Sequence, residues 1–201
     1  MPQIFSQCSF VSTWFGLDVV GYELSFCIQS NETPPKPATN DETMDELFWI
    51  IEGQLAGRVG PNTEPWDLAA LRAGGIGAII SVNNGEHCVR EDIEAHDIAY
   101  ACIPFSSNAP ALPGDDDISM AAARQAYEFA TAQIADGRGV LVHCSAGKDR
   151  TGLLLSYFVM QHAGLSPRDA IDRVRETRPI ALSAEGWDEF AEHVLTRLAA
   201  E

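Results

Sequence analysis

Positive charge is scarce in this chain: Lys and Arg number 13 against 29 Asp and Glu, for a formal net charge of −16. A field of that sign repels nucleic acid and anionic membrane surfaces, so any phosphate-bearing ligand has to be captured in a local positive pocket. Paired cysteines are also lacking. The five present, Cys8, Cys27, Cys88, Cys102 and Cys144, are odd in number and none stand in CxxC spacing. That excludes a disulfide scaffold and a structural zinc site, and makes a reducing cytoplasm the expected setting. No basic residue precedes Lys36 and Asp18 interrupts the apolar stretch near the start. Neither a secretion signal nor a membrane span is expected.

What is present suffices for one sizeable core, since 46% of the 201 residues are apolar. Residues 30–43, SNETPPKPATNDET, hold three prolines and little that is apolar, and read as a linker. They divide an N-terminal extension and linker, residues 1–43, from a main domain, residues 44–201. Within the extension, Leu17 to Gln29 has an irregular β-like pattern.

From Phe48 onward short apolar runs (FWII, GAIISV, IAYACIP, GVLVH) alternate with helix-length segments. The pattern predicts an α/β fold with a central, mostly parallel sheet flanked by helices. A first helix is expected to start near Thr63 and close at Gly74, and another to run from about Ile118 to Ala135. Thr151 to Ala163 is apolar on nearly every face, as a buried central helix requires. Ser166 with Pro167 opens a further helix, and Ser183 is expected to open a last one that buries Trp187, Phe190, Val194 and Leu198.

The segment His143-Cys144-Ser145-Ala146-Gly147-Lys148-Asp149-Arg150-Thr151-Gly152 lies between the strand Val140 to His143 and that central helix. A loop in this position turns successive backbone N–H groups inward and ends at a helix N-terminus, which together make a nest for an anion. The same field lowers a cysteine pKa, so Cys144 is a candidate thiolate nucleophile. Arg150, six positions later, offers a fork that matches two phosphate oxygens. Gly147 can take φ > 0, and Thr151 can offer its hydroxyl to the sulfur.

HCSAGKDRTG resembles the His-Cys-five-residue-Arg signature of protein tyrosine and dual-specificity phosphatases. LAGR at Leu55 to Arg58, GIGAIISV and RPIALSAEGWDEF are similar to pieces of the compact atypical dual-specificity type, in the right order, so the resemblance covers Phe48 to the C-terminus. It implies the cysteine-phosphatase fold and a phosphocysteine formed on Cys144. Arg150 and the loop of Ser145, Ala146, Gly147, Lys148 and Asp149 would bind the phosphate, and His143 would tune the thiolate from behind. It implies no metal and no organic cofactor, and as partner a phosphorylated protein or a small phosphorylated molecule.

The GKDR variant is similar to that of phosphoinositide-type and bacterial broad-specificity phosphatases. This makes an inositol phosphate or phosphoinositide the alternative substrate, with Lys148 on a second phosphate and Asp149 either in the site or bracing the loop.

One piece of the pattern is missing. The family carries a general-acid aspartate after the strand that ends Ile-Pro, where this chain has Phe105, Ser106 and Ser107. Asp115, Asp116 and Asp117 follow, and Asp115 is the expected substitute if the loop folds back over the pocket. The missing acid leaves open a phosphate-binding module without turnover, and a cysteine in an anion-cradling loop leaves open a rhodanese-like sulfur transferase, against which Arg-Thr-Gly entering an apolar helix favours the phosphatase. Cys88 and Cys102 are candidates to trap an oxidised Cys144 as a disulfide, or are simply buried.

Overall fold

The computed structural model describes residues 47–201. The expected strands in Leu17 to Gln29 and the extension and linker, residues 1–43, lie outside the described residues. Five strands form one sheet: β1 (Phe48–Ile51), β2 (Leu55–Arg58), β3 (Ile76–Ser81), β4 (Ala99–Cys102) and β5 (Gly139–His143). Their spatial order is β1-β2-β5-β3-β4, with β1 antiparallel to β2 and every other pair parallel. Parallel neighbours need crossover helices, which is why helix-length segments separate the strands.

Among the described residues six helices accompany the sheet: α1 (Leu68–Ala73), α2 (Arg90–Ala95), α3 (Asp115–Ala135), α4 (Asp149–Ala163), α5 (Pro167–Thr177) and α6 (Trp187–Ala199). Strand alternation divides the core. Val140, Val142 and Cys144 point into a large cluster shared with α3, α4, α5 and α6. Leu141 points into a smaller cluster with Leu71 of α1 and Ile93 of α2. The central helix α4 buries every residue from Thr151 to Met160, as its apolar faces require. None of the described helices is long and apolar enough to cross a membrane.

Three helix starts and one whole helix differ from the sequence expectation; α3 begins at Asp115, three residues before Ile118. Helix α1 starts at Leu68, because Asp67 caps it by accepting from the Ala70 N–H at 2.9 Å. Thr63 serves elsewhere, as described below. The last helix opens after Gly186 and not at Ser183. Helix α2 escaped the sequence reading, since six residues with Ile93 alone buried carry no visible apolar period.

Candidate active site

The segment between β5 and α4 is a tight loop, and its backbone orientation can be traced carbonyl by carbonyl. In a trans peptide the C=O and the following N–H point in opposite directions, so a carbonyl drawn outward turns the next amide inward. His143 Nδ1 lies 3.1 Å from the Cys144 carbonyl oxygen. The Ser145 carbonyl accepts from Gly60 N at 2.9 Å and from Thr63 Oγ1 at 3.1 Å. Arg178 donates through Nη2 to the Ala146 carbonyl and through Nε to the Gly147 carbonyl, both at 3.3 Å. The Lys148 carbonyl accepts from Gly152 N at 2.9 Å, the first turn of α4. Four successive loop carbonyls, from Cys144 to Gly147, are therefore held from outside, and the amides of Ser145 to Lys148 face the other way. That is the geometry of an anion nest.

Two glycines make the wrapping possible. Gly147 has φ +57°, and a Cβ there would sit 2.6 Å from the Arg58 carbonyl oxygen. Gly60 approaches so closely that a Cβ would overlap the Cys144 carbonyl oxygen.

Cys144 is 3% exposed and begins the loop where the alternation of β5 turns it toward the large cluster. Thr151 is fully buried and its hydroxyl has no hydrogen-bond partner among the described residues. Arg150 is half-buried in the first turn of α4 and makes no hydrogen bond or ion pair to a described residue. Its five donors are open to a ligand.

His143 is wholly buried on the opposite face of β5 from Cys144, beside Ser81, its register partner on β3. A carbonyl can only accept, so Nδ1 carries the ring proton and Nε2 accepts from Ser81 Oγ at 2.5 Å. Ser81 in turn accepts from the Tyr100 hydroxyl at 2.9 Å. Burial pushes the His143 pKa down to about 4, so the ring is neutral at physiological pH. Trp66 packs edge-on against it at 4.6 Å between centroids. Cys88 Sγ stands 3.5 Å from Nε2, and burial pushes its thiol pKa up. Cys88 and Cys102 are both free thiols; Cys88 lies on the His143 side of the sheet and Cys102 bonds the Asn83 carbonyl at 3.5 Å.

Lys148 and Asp149 stand where the loop enters α4. Asp149 Oδ1 accepts from Ala184 N at 3.0 Å, tying the segment after α5 to the start of α4, while Lys148 Nζ lies 3.6 Å from its other oxygen. The Lys148 side chain is 26% exposed, so a ligand can reach it.

Asp115, the expected acid, stands at the head of α3. It is buried at the first turn of α3. Its carboxylate accepts from Leu112 N at 2.6 Å and from Asn108 Nδ2 at 3.1 and 2.9 Å. The Leu112 amide first, then Asn108, hold its pKa below the usual carboxylate range. A carboxyl so held is ionised at neutral pH and fastens the loop 104–114 onto its own helix, whereas a proton donor needs the opposite bias. Asp116 pairs with Arg197 and His193, and Asp117 with Arg197 at 2.9 Å, so both face α6.

The roles of Arg178, Gly60, Thr63, Ser81 and Tyr100 were missed by sequence reasoning. Arg178, Gly60 and Thr63 reach the loop from distant parts of the chain, and Ser81 and Tyr100 act through His143. Thr63, Ser81, Tyr100 and Arg178 stood inside segments already singled out, but for their place in a helix, a strand or a family motif and not for these contacts.

Residues 62–193 match the family described as "Dual specificity phosphatase, catalytic domain". "Phosphatidylglycerophosphate phosphatase PTPMT1" of Arabidopsis thaliana is 34% identical over 76 residues, 37% of this chain and 23% of that protein. "Dual specificity protein phosphatase 15" of Homo sapiens is 29% identical over 139 residues, 69% of this chain and 43% of that protein. The chain thus spans less than half the length of these relatives. Among solved structures, Tk-PTP in its active form superposes with a TM-score of 0.61 at 20% identity, covering 76% of this chain and 97% of that one. PTPMT1 in complex with PI(5)P gives 0.62 at 15% identity, covering 78% and 98%. At these identities the structural likeness is one of fold.

Proposed function

Because the chain belongs to the dual-specificity phosphatase catalytic-domain family, we propose that it hydrolyses phosphate monoesters through a phosphocysteine on Cys144, with protein phosphotyrosine as its first substrate class. The observation that carries this reading is the outward capture of the carbonyls of Cys144, Ser145, Ala146 and Gly147. It leaves inward amides in front of a buried cysteine and beside an arginine with open donors. The fork alone would fit a sulfonate as well as a phosphate; the match of residues 62–193 to a phosphatase catalytic domain favours phosphate over sulfur transfer.

In the first step the Cys144 thiolate attacks phosphorus. The S–P bond forms as the ester O–P bond breaks, and the electron pair leaves on the ester oxygen. The loop amides and the Arg150 fork hold the three non-bridging oxygens, whose charge grows in the transition state. In the second step water attacks phosphorus, the S–P bond breaks, inorganic phosphate departs and the thiolate returns. The Thr151 hydroxyl, buried without another partner among the described residues, is placed in this reading to donate to the sulfur as it leaves.

The leaving oxygen takes its proton from water in this scheme, because Asp115 is occupied as a brace. The consequence is a preference for good leaving groups. A tyrosyl phenol, with a pKa of about 10, leaves far more readily than an aliphatic alcohol, whose pKa is close to the roughly 15.7 of water. Phosphotyrosine is favoured over alkyl phosphates on this ground.

The second reading, a phosphoinositide or inositol phosphate substrate, rests on the partly exposed Lys148 beside the nest. The Arabidopsis relative's name is in keeping with a lipid phosphate.

One experiment tests the scheme and separates the two substrates. The purified chain is assayed side by side on a phosphotyrosyl peptide and a soluble inositol phosphate, and an acid-quenched reaction is mapped by mass spectrometry. The expected result is a phosphate adduct on Cys144 and faster turnover of the peptide. Turnover without a Cys144 adduct overturns the mechanism, and faster turnover of the inositol phosphate transfers the assignment to the second reading. Phosphate binding without turnover makes the chain a binding module.

A further inference from the structure

We propose that Arg178 is a positioning residue for the phosphate nest, one that aims the Gly147 and Lys148 amides without touching the substrate. The inference rests on the phosphatase reading above and deepens it. Arg178 directly follows α5, and its own N–H bonds Val174 O at 2.8 Å while its carbonyl accepts from Ala181 N at 2.9 Å. Its backbone is thus fixed at both ends of the residue. Its guanidinium lies over the ring of Phe48 on β1, 4.9 Å from the centroid. The ring holds the plane of the fork, and the fork then meets two consecutive carbonyls, Ala146 O and Gly147 O.

The physical consequence follows from peptide planarity. Ala146 O shares a peptide plane with Gly147 N–H, and Gly147 O with Lys148 N–H, so a fork outside the loop fixes two donors inside it. The Gly147 turn has φ +57° and is pressed from its other side by the Arg58 carbonyl. Left unbonded, these two peptides can flip, since glycine accepts either sign of φ. Phe48 itself packs against Gly57, where a Cβ would collide with the ring. The clamp is therefore anchored in the sheet: Gly57 seats Phe48, Phe48 seats Arg178, and Arg178 orients the nest. A lysine cannot bond two carbonyls in one plane while stacking on a ring.

The test compares wild type with Arg178→Ala and Arg178→Lys. Four quantities are read: kcat and KM on a small aryl phosphate, the inhibition constant of inorganic phosphate, the pH dependence of Cys144 alkylation by iodoacetamide followed by mass spectrometry, and Tm. Deleting a transition-state donor outright costs about 10²–10³ in rate, so loosening two donors that remain present is expected to cost about 10–100-fold in kcat/KM. Phosphate inhibition weakens in parallel, and the alkylation midpoint moves to higher pH because fewer amides face the thiolate. Arg178→Lys, with one carbonyl bond restored, falls between the two. A purely structural role would lower Tm and leave the phosphate constant and the alkylation midpoint of the folded fraction unchanged, and that outcome overturns the proposal. Should Arg178→Ala fail to fold, Arg178→Lys decides: a phosphate constant within twofold of wild type overturns it. A wild type that neither turns over aryl phosphate nor binds inorganic phosphate sinks the phosphatase reading itself, a failure visible before any variant is made.

Discussion

His143 Nδ1 donates to the Cys144 carbonyl at 3.1 Å, so the residue before Cys144 fixes the first peptide of the loop and the tautomer of its own ring in a single contact. With the ring neutral, Nε2 accepts from Ser81. Protonation would turn that bond round, with Ser81 donating to Tyr100 instead, and would place a charge where His143 has no solvent access. Burial lowers the His143 pKa from 6.5 to about 4. A group whose folded pKa lies below its unfolded value adds stability that is fully present above pH 6.5 and is lost as pH falls through 4. The stake is about 3 kcal/mol, at 1.36 kcal/mol per pKa unit. Tm recorded from pH 7.5 to 4 is expected to fall steeply below 6.5. The His143→Asn variant, which keeps a donor for the carbonyl but does not titrate, is expected to show a flatter fall over the same window.

Cys144→Ser is expected to abolish turnover while inorganic phosphate still binds, since an alcohol at neutral pH supplies no thiolate-like nucleophile but leaves the nest amides in place. Arg150→Lys is expected to lower kcat/KM by about 10²–10³, the usual worth of a lost transition-state donor. Steady-state rates and phosphate titration calorimetry measure both. Retained turnover in Cys144→Ser would remove the cysteine from the mechanism.

Gly60→Ala tests the outer wall of the loop. The added Cβ would overlap the Cys144 carbonyl oxygen and crowd Asn62 Oδ1 at 2.6 Å. The Asn62 side chain can turn aside, but the Cys144 carbonyl is backbone held by His143, so the segment 60–63 must retreat. Its two bonds to the Ser145 carbonyl are then lost together. A destabilisation of about 1–3 kcal/mol is expected by analogy with overpacking, with a loss of phosphate affinity beside it. Denaturant midpoints and phosphate titration read the two effects separately; unchanged affinity would show that the Ser145 carbonyl needs no partner.

The chemistry-bearing segment and the fold class were legible in the sequence because both are local. The loop lies between an apolar strand and a helix apolar on all faces, and Gly147 and Arg150 stand at fixed offsets from Cys144. The parallel sheet shows in the alternation of short apolar runs with helix-length segments. What holds the loop was not legible, because its partners come from far along the chain: Thr63 is 82 positions from Ser145, and Arg178 is 32 from Ala146. Thr63 was read as a helix cap on local propensity, and a tertiary bond claimed it instead while Asp67 capped the helix. Asp115 was named as a substitute for a missing aspartate because it follows that position along the chain and a loop folding back could bring it over the pocket. Counting gives position along the chain, and the hydrogen bonds from Leu112 and Asn108 that set its charge depend on how the loop closes.

Asp115 is where a variant distinguishes a brace from an acid most cleanly. As a brace, the carboxylate gathers Leu112 N and the Asn108 amide at the head of α3, and its depressed pKa means that its contribution to stability is present above the unfolded value near 3.8 and lost as pH falls below it. Asp115→Asn keeps the shape but opposes the Asn108 amide with a second amide and removes the charge at the helix N-terminus. The expected result is a destabilisation of about 1–2 kcal/mol by denaturant unfolding, as for a lost cap. Any rate loss would come from a looser loop 104–114, so it should be equal for aryl phosphates whose leaving-group pKa spans several units. A general acid behaves otherwise. Its removal costs about 10²–10⁴ with a poor leaving group and little with a good one, and it flattens the basic limb of the pH–rate profile. A plot of log kcat/KM against leaving-group pKa for wild type and Asp115→Asn therefore decides the matter. Parallel lines, both steep because no side chain supplies the proton, support the brace, and a shallow wild-type line that steepens in the variant would restore Asp115 as the acid.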